Sequence, residues 1–178
     1  MDEMKHSEKG FTIIELALTI SLIAVIGGAA SMSIFQVVKG TERSNDHMTA
    51  TRQVQNAGYW ISHDTHMAQT VVTGDDPETT EDEFVTLKHT DWESGNAHTI
   101  IYIFENMSGG LKKLKRQHLT HDAEGEEIGN ETTFVAQNID SASSSFSEQD
   151  GAWKLTIQTR SGTETETREY EIIPRSSL

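Results

Sequence analysis

The apolar residues of this chain are concentrated near its N-terminus. Between Phe11 and Val38 the only charged residue is Glu15, so residues 16–38 form an uncharged run of 23. As a helix rising about 1.5 Å per residue, this run spans roughly 35 Å, enough to cross a hydrocarbon core of about 30 Å. The pattern therefore predicts that residues 11–38, here called the apolar segment, form a transmembrane helix.

Beyond residue 38 the pattern indicates that the same helix continues. Apolar residues recur at helical spacing at Val54, Ala57, Ile61 and Met67-Ala68. We predict one helix from about residue 12 to residue 69. The segment 39–74, which includes the second half of this helix, is the continuation that packs on a head. Gly27-Gly28 and Gly40 are candidate bends, because glycine weakens a helix by up to about 1 kcal/mol relative to alanine.

From residue 84 onward the pattern is that of short strands. Trp153, Leu155 and Ile157 alternate with polar neighbours, as a sheet with one buried face requires. Seven strands are predicted, over 84–89, 98–105, 111–119, 132–138, 142–147, 153–160 and 163–173, with hairpin turns at 108–110 and 161–162. The expected fold class is α+β: a long N-terminal helix, transmembrane in its first half, packed on an antiparallel β-sheet head over residues 75–178.

Composition narrows the possible functions of the chain. It has 178 residues, with 28 acidic and 14 basic side chains, a net charge of −14 and no cysteine. The absence of cysteine excludes disulfides, thiolate metal sites and a cysteine nucleophile. Removing −1 for residues 1–10 and −1 for Glu15 from −14 leaves −12, all of it beyond Val38. Because phosphate binding depends on Lys and Arg, this acidity argues against nucleic acid as a main partner.

Glu15 is the most informative residue of the apolar segment. A carboxylate in lipid costs roughly 2.5–3.5 kcal/mol on insertion scales, so it marks a functional site. It ends the string Gly10-Phe11-Thr12-Ile13-Ile14-Glu15. This region closely resembles the N-terminal signature of type IV prepilins and type II secretion pseudopilins. The shared features are a polar leader ending in Gly, an aromatic residue after it, Glu four positions later and an apolar run long enough to span a membrane.

The resemblance implies a processing and assembly pathway. A prepilin peptidase would cut the Gly10–Phe11 bond after the leader 1–10, and Phe11 would become the N-methylated first residue. Glu15 would pair with the N-terminus of a neighbouring subunit and set axial register during filament assembly. The chemistry belongs to the peptidase, so the chain is expected to be a structural subunit, not an enzyme, with no catalytic residue and no cofactor. Further implied partners are other pilin or pseudopilin subunits and an inner-membrane assembly platform.

Within this family the order of elements is most similar to J-type minor pseudopilins and minor pilins. The residues that carry this similarity are Trp60-Ile61-Ser62-His63-Asp64, Tyr102, Leu114-Lys115-Arg116, Trp153 and the segment 170–174. Lys5 and Lys9 favour a cytoplasmic N-terminus under the positive-inside rule. The expected location is the inner membrane, crossed once, with the head outside, and then a pilus or pseudopilus at the cell surface. Secretion, adhesion, motility and DNA uptake all stay open.

Other interpretations of the N-terminus predict different mature proteins. A secretory signal would be cleaved near Gly28-Ala29-Ala30 and leave Ser31 first. A plain membrane anchor would keep Met1. Such an anchor could carry a binding or adhesin head that is not built into a filament, or an enzyme. A buried helix of a soluble core is a further alternative, which the shortage of other apolar residues disfavours.

In the second half of the predicted helix and in the head, two features are candidates for contacts. Asp64 lies on the apolar helical stripe, which predicts a buried or subunit contact. Four bases fall within five residues at Lys112, Lys113, Lys115 and Arg116. They suit an exposed strand, a contact with an acidic neighbouring subunit, or a DNA contact.

Two features resemble metal sites in part, and neither predicts a bound metal. His63 and His66 lie three residues apart on a helix, but no third ligand follows at a recognisable spacing. The acidic stretch Gly74–Glu83 offers carboxylates for calcium, but it lacks EF-hand spacing and is typical of a solvated loop.

Overall fold

The computed structural model describes residues 10–74 and 83–173. Within these ranges the chain forms one α-helix and eight strands: α1 (Ile13–Met67), β1 (Thr70–Thr73), β2 (Glu83–Thr90), β3 (Ala97–Asn106), β4 (Lys112–His121), β5 (Glu127–Ile139), β6 (Ser145–Gln149), β7 (Ala152–Ser161) and β8 (Glu164–Ile172). The predicted class, a long N-terminal helix and an antiparallel sheet on which it packs, is confirmed. The chain divides into two compact units, Met1–Glu42 and Arg43–Leu178.

The first unit contains the apolar part of α1. This helix is long and apolar enough to cross a membrane, as predicted. Every residue from Gly10 to Glu42 is exposed, including the large apolar side chains. The helical structure continues through the predicted bend positions Gly27-Gly28 and Gly40.

In the second unit, one face of α1 packs on the sheet. Ala50, Val54, Ala57 and Ile61 are fully buried and contribute to the hydrophobic core with apolar residues of β2, β3, β4, β5, β7 and β8. The predicted helical stripe is therefore confirmed at Val54, Ala57 and Ile61. Of its last pair, Ala68 is buried as predicted, although it follows the helix, whereas Met67 is 50% exposed.

The sheet is antiparallel throughout, in the order β1-β2-β3-β4-β5-β7-β6, with β8 on the other side of β7. The strands β2 to β5 pair over most of their lengths, whereas β5 meets β7 through the single residue pair Ile139 and Thr159. On β7, Leu155, Ile157 and Thr159 are buried and alternate with half-buried residues. The alternation predicted for this strand is confirmed.

Both predicted hairpin turns are present. Gly109 and Gly110 have φ of 79° and 78° in the 3₁₀ turn Ser108–Gly110 between β3 and β4, and Gly162 has φ of 53° in the turn between β7 and β8. Such positive φ values suit glycine because it has no Cβ.

Three strand predictions need correction. β1 lies in the segment 39–74, predicted as the helix continuation, but forms a strand that pairs with β2. β5 begins at Glu127, five residues before the predicted start at 132. β6 begins at Ser145, because residues 141–143 form a 3₁₀ turn in which the Asp140 carboxylate accepts a hydrogen bond from the Ala142 amide.

Candidate functional site

The Gly10–Phe11 bond, predicted to be a cleavage site, lies just before the helix. Gly10, Phe11 and Thr12 are non-helical, and α1 begins at Ile13. Phe11 is 87% exposed. Among the residues that the structure describes, no atom outside the neighbouring residues lies within 4 Å of the position that a Cβ on Gly10 would occupy. The bond is therefore on an irregular, open stretch of backbone, the form in which a protease binds its substrate.

Thr12 and Glu15 form a capping box at the start of α1. The Glu15 carboxylate accepts hydrogen bonds from the Thr12 amide at 3.1 Å and from the Thr12 hydroxyl at 3.0 Å, and the Glu15 amide donates to that hydroxyl at 3.3 Å. These bonds satisfy amides that the first helical turn otherwise leaves without partners. Sequence reasoning missed this role of Thr12, although Thr-x-x-Glu before an apolar run is its signal.

The hydroxyl side chains of the apolar part of α1 bond back to the helix. Thr19 donates to the Glu15 carbonyl at 2.6 Å, and Ser21, Ser31 and Ser33 donate to the carbonyls four residues earlier at 2.8 to 3.0 Å. A hydroxyl satisfied in this way costs less in hydrocarbon than one without a partner. The moderate polarity of the segment is therefore compatible with a lipid environment.

Asp64 is the centre of a buried polar network in the second unit. Its carboxylate accepts hydrogen bonds from the Tyr102 hydroxyl at 2.5 Å, from Arg116 Nε at 2.7 Å and from Arg116 Nη2 at 3.2 Å. The Nδ1 of the adjacent His63 lies 3.2 Å from Oδ1. Asp64 is 3% exposed, so the predicted buried contact of Asp64 is confirmed, with partners inside the chain.

The network favours the charged form of the arginine. Burial alone would lower the pKa of Arg116, but its hydrogen bonds and charge pairing with Asp64 outweigh burial and raise it. Burial raises the pKa of Tyr102, and the adjacent Asp64 raises it further, so Tyr102 stays a neutral donor. The Arg116 guanidinium also lies 5.1 Å from the centre of the Trp60 ring, within cation–π range. The Asp64 carboxylate thus joins α1 to β3 through a hydrogen bond and to β4 through an ion pair.

The structure separates the four bases of the predicted cluster. Arg116 faces the core with its side chain 11% exposed, on the same side of β4 as the buried Leu114. Lys112 instead bonds to the Asn106 side chain, and Lys113 lies 5.2 Å from the centre of the Phe134 ring. A subunit contact through Arg116 would require breaking its pair with Asp64, so we retain that hypothesis for Lys112, Lys113 and Lys115.

His63 and His66, whose spacing resembles that of metal ligands, have separate partners. His63 Nδ1 faces Asp64, whereas His66 Nδ1 lies 3.0 Å from the carbonyl oxygen of Ile173. Among the residues that the structure describes, no group of three or more His, Asp or Glu side chains is arranged to hold a metal ion. Lys5, Lys9, most of the acidic stretch 74–83 and Pro174 lie outside the described residues.

Comparison with known proteins adds no identification: no protein-family model, no curated protein and no solved structure matches this chain.

Proposed function

We propose that this chain is a minor pilin or pseudopilin, a structural subunit of a type IV pilus or a type II secretion pseudopilus. The observation that carries the proposal is the exposed apolar surface of the apolar segment, residues 11–38, whose one carboxylate, Glu15, caps the start of α1. Large contiguous apolar surface on a monomer marks a site that lipid or another protein covers. A subunit that passes from membrane to filament needs both coverings in turn.

The start of the helix supports the processing step. The Gly10–Phe11 bond is open and non-helical, and the capping box secures α1 immediately after it. Cleavage there would leave a new amino group two residues before the helix, with an ordinary pKa of about 7.7–8.0. Glu15 would lie one turn away and could pair with such an amine on a neighbouring subunit. A paired charge costs less in an apolar surrounding than two isolated ones.

The second unit supplies a rigid body for the filament surface. The buried Asp64–Arg116 pair and the apolar face of α1 hold the helix on the sheet. The proposed partners are therefore a prepilin peptidase, an assembly platform in the inner membrane and other subunits. The monomer would cross the inner membrane once, with a cytoplasmic N-terminus, before assembly.

The mature N-terminus tests the proposal directly. The full chain is expressed together with a prepilin peptidase, purified from membranes in detergent, and its first residue identified by mass spectrometry. We expect Phe11 carrying one added methyl group. Ser31 as the first residue would replace the proposal with a secretory signal, and an intact N-terminus in the presence of active peptidase would replace it with a plain anchor.

A membrane-anchored binding or adhesin head is the second candidate function, and one observation favours it. Trp92, in the turn between β2 and β3, is 97% exposed. The Asp91 carboxylate holds that turn by accepting hydrogen bonds from the Glu93 amide and the Ser94 hydroxyl. Tryptophan is enriched among the residues that anchor binding surfaces. Cells that expose the protein without any filament containing it would favour this candidate over the first.

A further inference from the structure

Three histidines from adjacent strands lie together on one face of the sheet. His89 on β2 is directly opposite His98 on β3, and their rings stack at 4.7 Å between centres with 15° between planes. On β4, His118 lies diagonally across from His98, with its Nε2 3.0 Å from His98 Nδ1. Because alternate residues of a strand share a face, the three lie on the same face as Tyr102 and Arg116.

This contact requires that at least one of the two imidazoles is neutral. At 3.0 Å, one of the two facing nitrogens must carry a proton and the other a lone pair, and which carries which depends on the tautomers. If both rings were protonated, two N–H groups and two positive charges would face each other. The Thr120 hydroxyl, 3.3 Å from His98 Nδ1, supplies a second polar neighbour.

His89 makes the arrangement more sensitive to acid. Its Nδ1 is buried and has no hydrogen-bond partner among the described residues. Protonation of His89 would place a charged N–H donor at this buried position. The charge would lie on the ring that stacks on His98. All three side chains are half-buried.

Burial and the surrounding charges together oppose protonation of His89 and His118. Burial lowers the pKa of His89, and the adjacent His98 and His118 lower it further, against the weaker opposite effects of Asp64 on α1 and Asp91 in the following turn. Burial lowers the pKa of His118 too, followed by Arg116 on β4 and His98, against Asp64 and Glu131 on β5.

We propose that His89, His98 and His118 form a pH-sensitive latch, which holds β2, β3 and β4 together while the imidazoles are neutral and loosens this part of the sheet on protonation. An unfolded histidine has a pKa of about 6.5, and those of His89 and His118 in the fold lie below it. Below about pH 6.5 the opened chain therefore binds more protons than the closed one. The stabilisation is complete above that pH and is lost as the pH falls through the folded pKa values.

Amide hydrogen exchange of the full chain in detergent micelles tests the latch. Opening constants, corrected for the intrinsic exchange rate, are compared at about pH 7.5 and about pH 5.5, with β7 and β8 as the internal reference. We expect the opening of β3 to increase at least about threefold relative to β7 on acidification. An equal change in both regions, or none, would overturn the proposal.

Two sets of variants identify the groups responsible. The double variant His89→Phe/His118→Gln keeps a stacked ring and a side chain able to hydrogen-bond His98, but removes two titrating groups, so its relative opening should not depend on pH. His47→Gln removes an exposed histidine of α1 and should respond as the original chain does. A double variant that keeps the full response would contradict the latch.

A titration of the unaltered chain covers the case in which the double variant does not fold. The imidazole C–H resonances of all histidines are followed by NMR from about pH 8 to about pH 5. His89 and His118 should titrate below the ordinary histidine pKa of about 6.5. Titration of both at or above that value would refute the proposal.

Discussion

Asp64 of α1 and Arg116 of β4 form a buried ion pair, with 2.7 Å between Oδ2 and Nε. They are 52 residues apart in the chain and 3% and 11% exposed. Tyr102 of β3 donates to the same carboxylate oxygen. One charged group of the helix is thereby bonded to two neighbouring strands, which fixes the position of the helix end against the sheet.

Arg116→Met should destabilise the protein strongly. Removing one member of a buried pair leaves an uncompensated charge, which typically costs about 3–5 kcal/mol. Urea unfolding of the full chain in micelles, followed by tryptophan fluorescence, would measure the change in the free energy of unfolding. Lys113→Met on the same strand, whose partner is the Phe134 ring, should cost about 1 kcal/mol or less.

The double variant Asp64→Leu/Arg116→Met separates the unpaired charge from the loss of packing. With neither charge present, the penalty of leaving one behind disappears, so the double variant should be more stable than Arg116→Met alone. A double variant less stable than the single one would mean that the Tyr102 and Trp60 contacts, not the charge balance, dominate this network.

The periodicity of the sequence predicts the burial of Asp64 but not its pairing with Arg116. Because helical spacing locates Asp64 on the stripe of Val54 and Ile61, its burial follows from pattern alone. The identity of its partner does not follow from the pattern, because Arg116 lies within a run of bases that suits an exposed strand equally well. The alternation of β4 contained the missing information, as Arg116 shares a face with the buried Leu114. Pairing across 52 residues depends on sheet register, which the local pattern does not determine.

The ends of the elements depended on similar non-local causes. The helix is predicted over about 12–69 and observed over Ile13–Met67, because the local pattern indicates it along its length and its second half also packs on the sheet. β1 has four residues and exists through its pairing with β2, where Val71 is opposite Leu87. So short a run has too little periodicity to be recognised. The capping box at Thr12 and Glu15 is predictable from the sequence, because its hydrogen bonds join residues only three apart.

Gly58→Ala should destabilise the second unit. A Cβ at this position would overlap the Tyr170 ring, which packs against the helix and donates from its hydroxyl to the Val54 carbonyl at 3.3 Å. Displacing the ring would cost on the order of 1–2 kcal/mol through the lost bond and contacts. The same urea unfolding experiment measures it. Gly28→Ala, in a helical position with nothing within 4 Å, should leave unfolding of the second unit unchanged.

Thr12→Ala should loosen the first turn of α1. The hydroxyl accepts a hydrogen bond from the Glu15 amide, and loss of such a cap costs typically about 1 kcal/mol. Exchange of the Glu15 amide in micelles should therefore become about fivefold faster. Thr12→Ser retains the hydroxyl and should exchange like the original chain. Equal exchange in all three proteins would show that the capping box does not stabilise the turn.

Gly10→Leu should block processing under the proposed function. A large side chain at this residue would obstruct the backbone approach that glycine permits, so most of the chain should stay uncleaved when expressed with a prepilin peptidase. Mass spectrometry of the N-terminus measures the outcome. Gly40→Ala, which also meets no atom within 4 Å, is the matched control and should be cleaved normally. Normal cleavage of Gly10→Leu would contradict the predicted scissile bond.

Glu15→Gln distinguishes the two roles that Glu15 can have. A glutamine retains the capping geometry, because its side-chain oxygen can still accept from the Thr12 amide. It removes the negative charge, so pairing with the amino group of a neighbouring subunit would lose its electrostatic part. We expect this variant to be processed at Gly10 and to keep slow exchange of the Glu15 amide, yet to be recovered from membranes instead of sheared filaments. If Glu15→Gln enters filaments at the original level, Glu15 acts in helix capping alone. If in addition Glu15→Leu does not enter filaments, assembly needs the cap and not the charge.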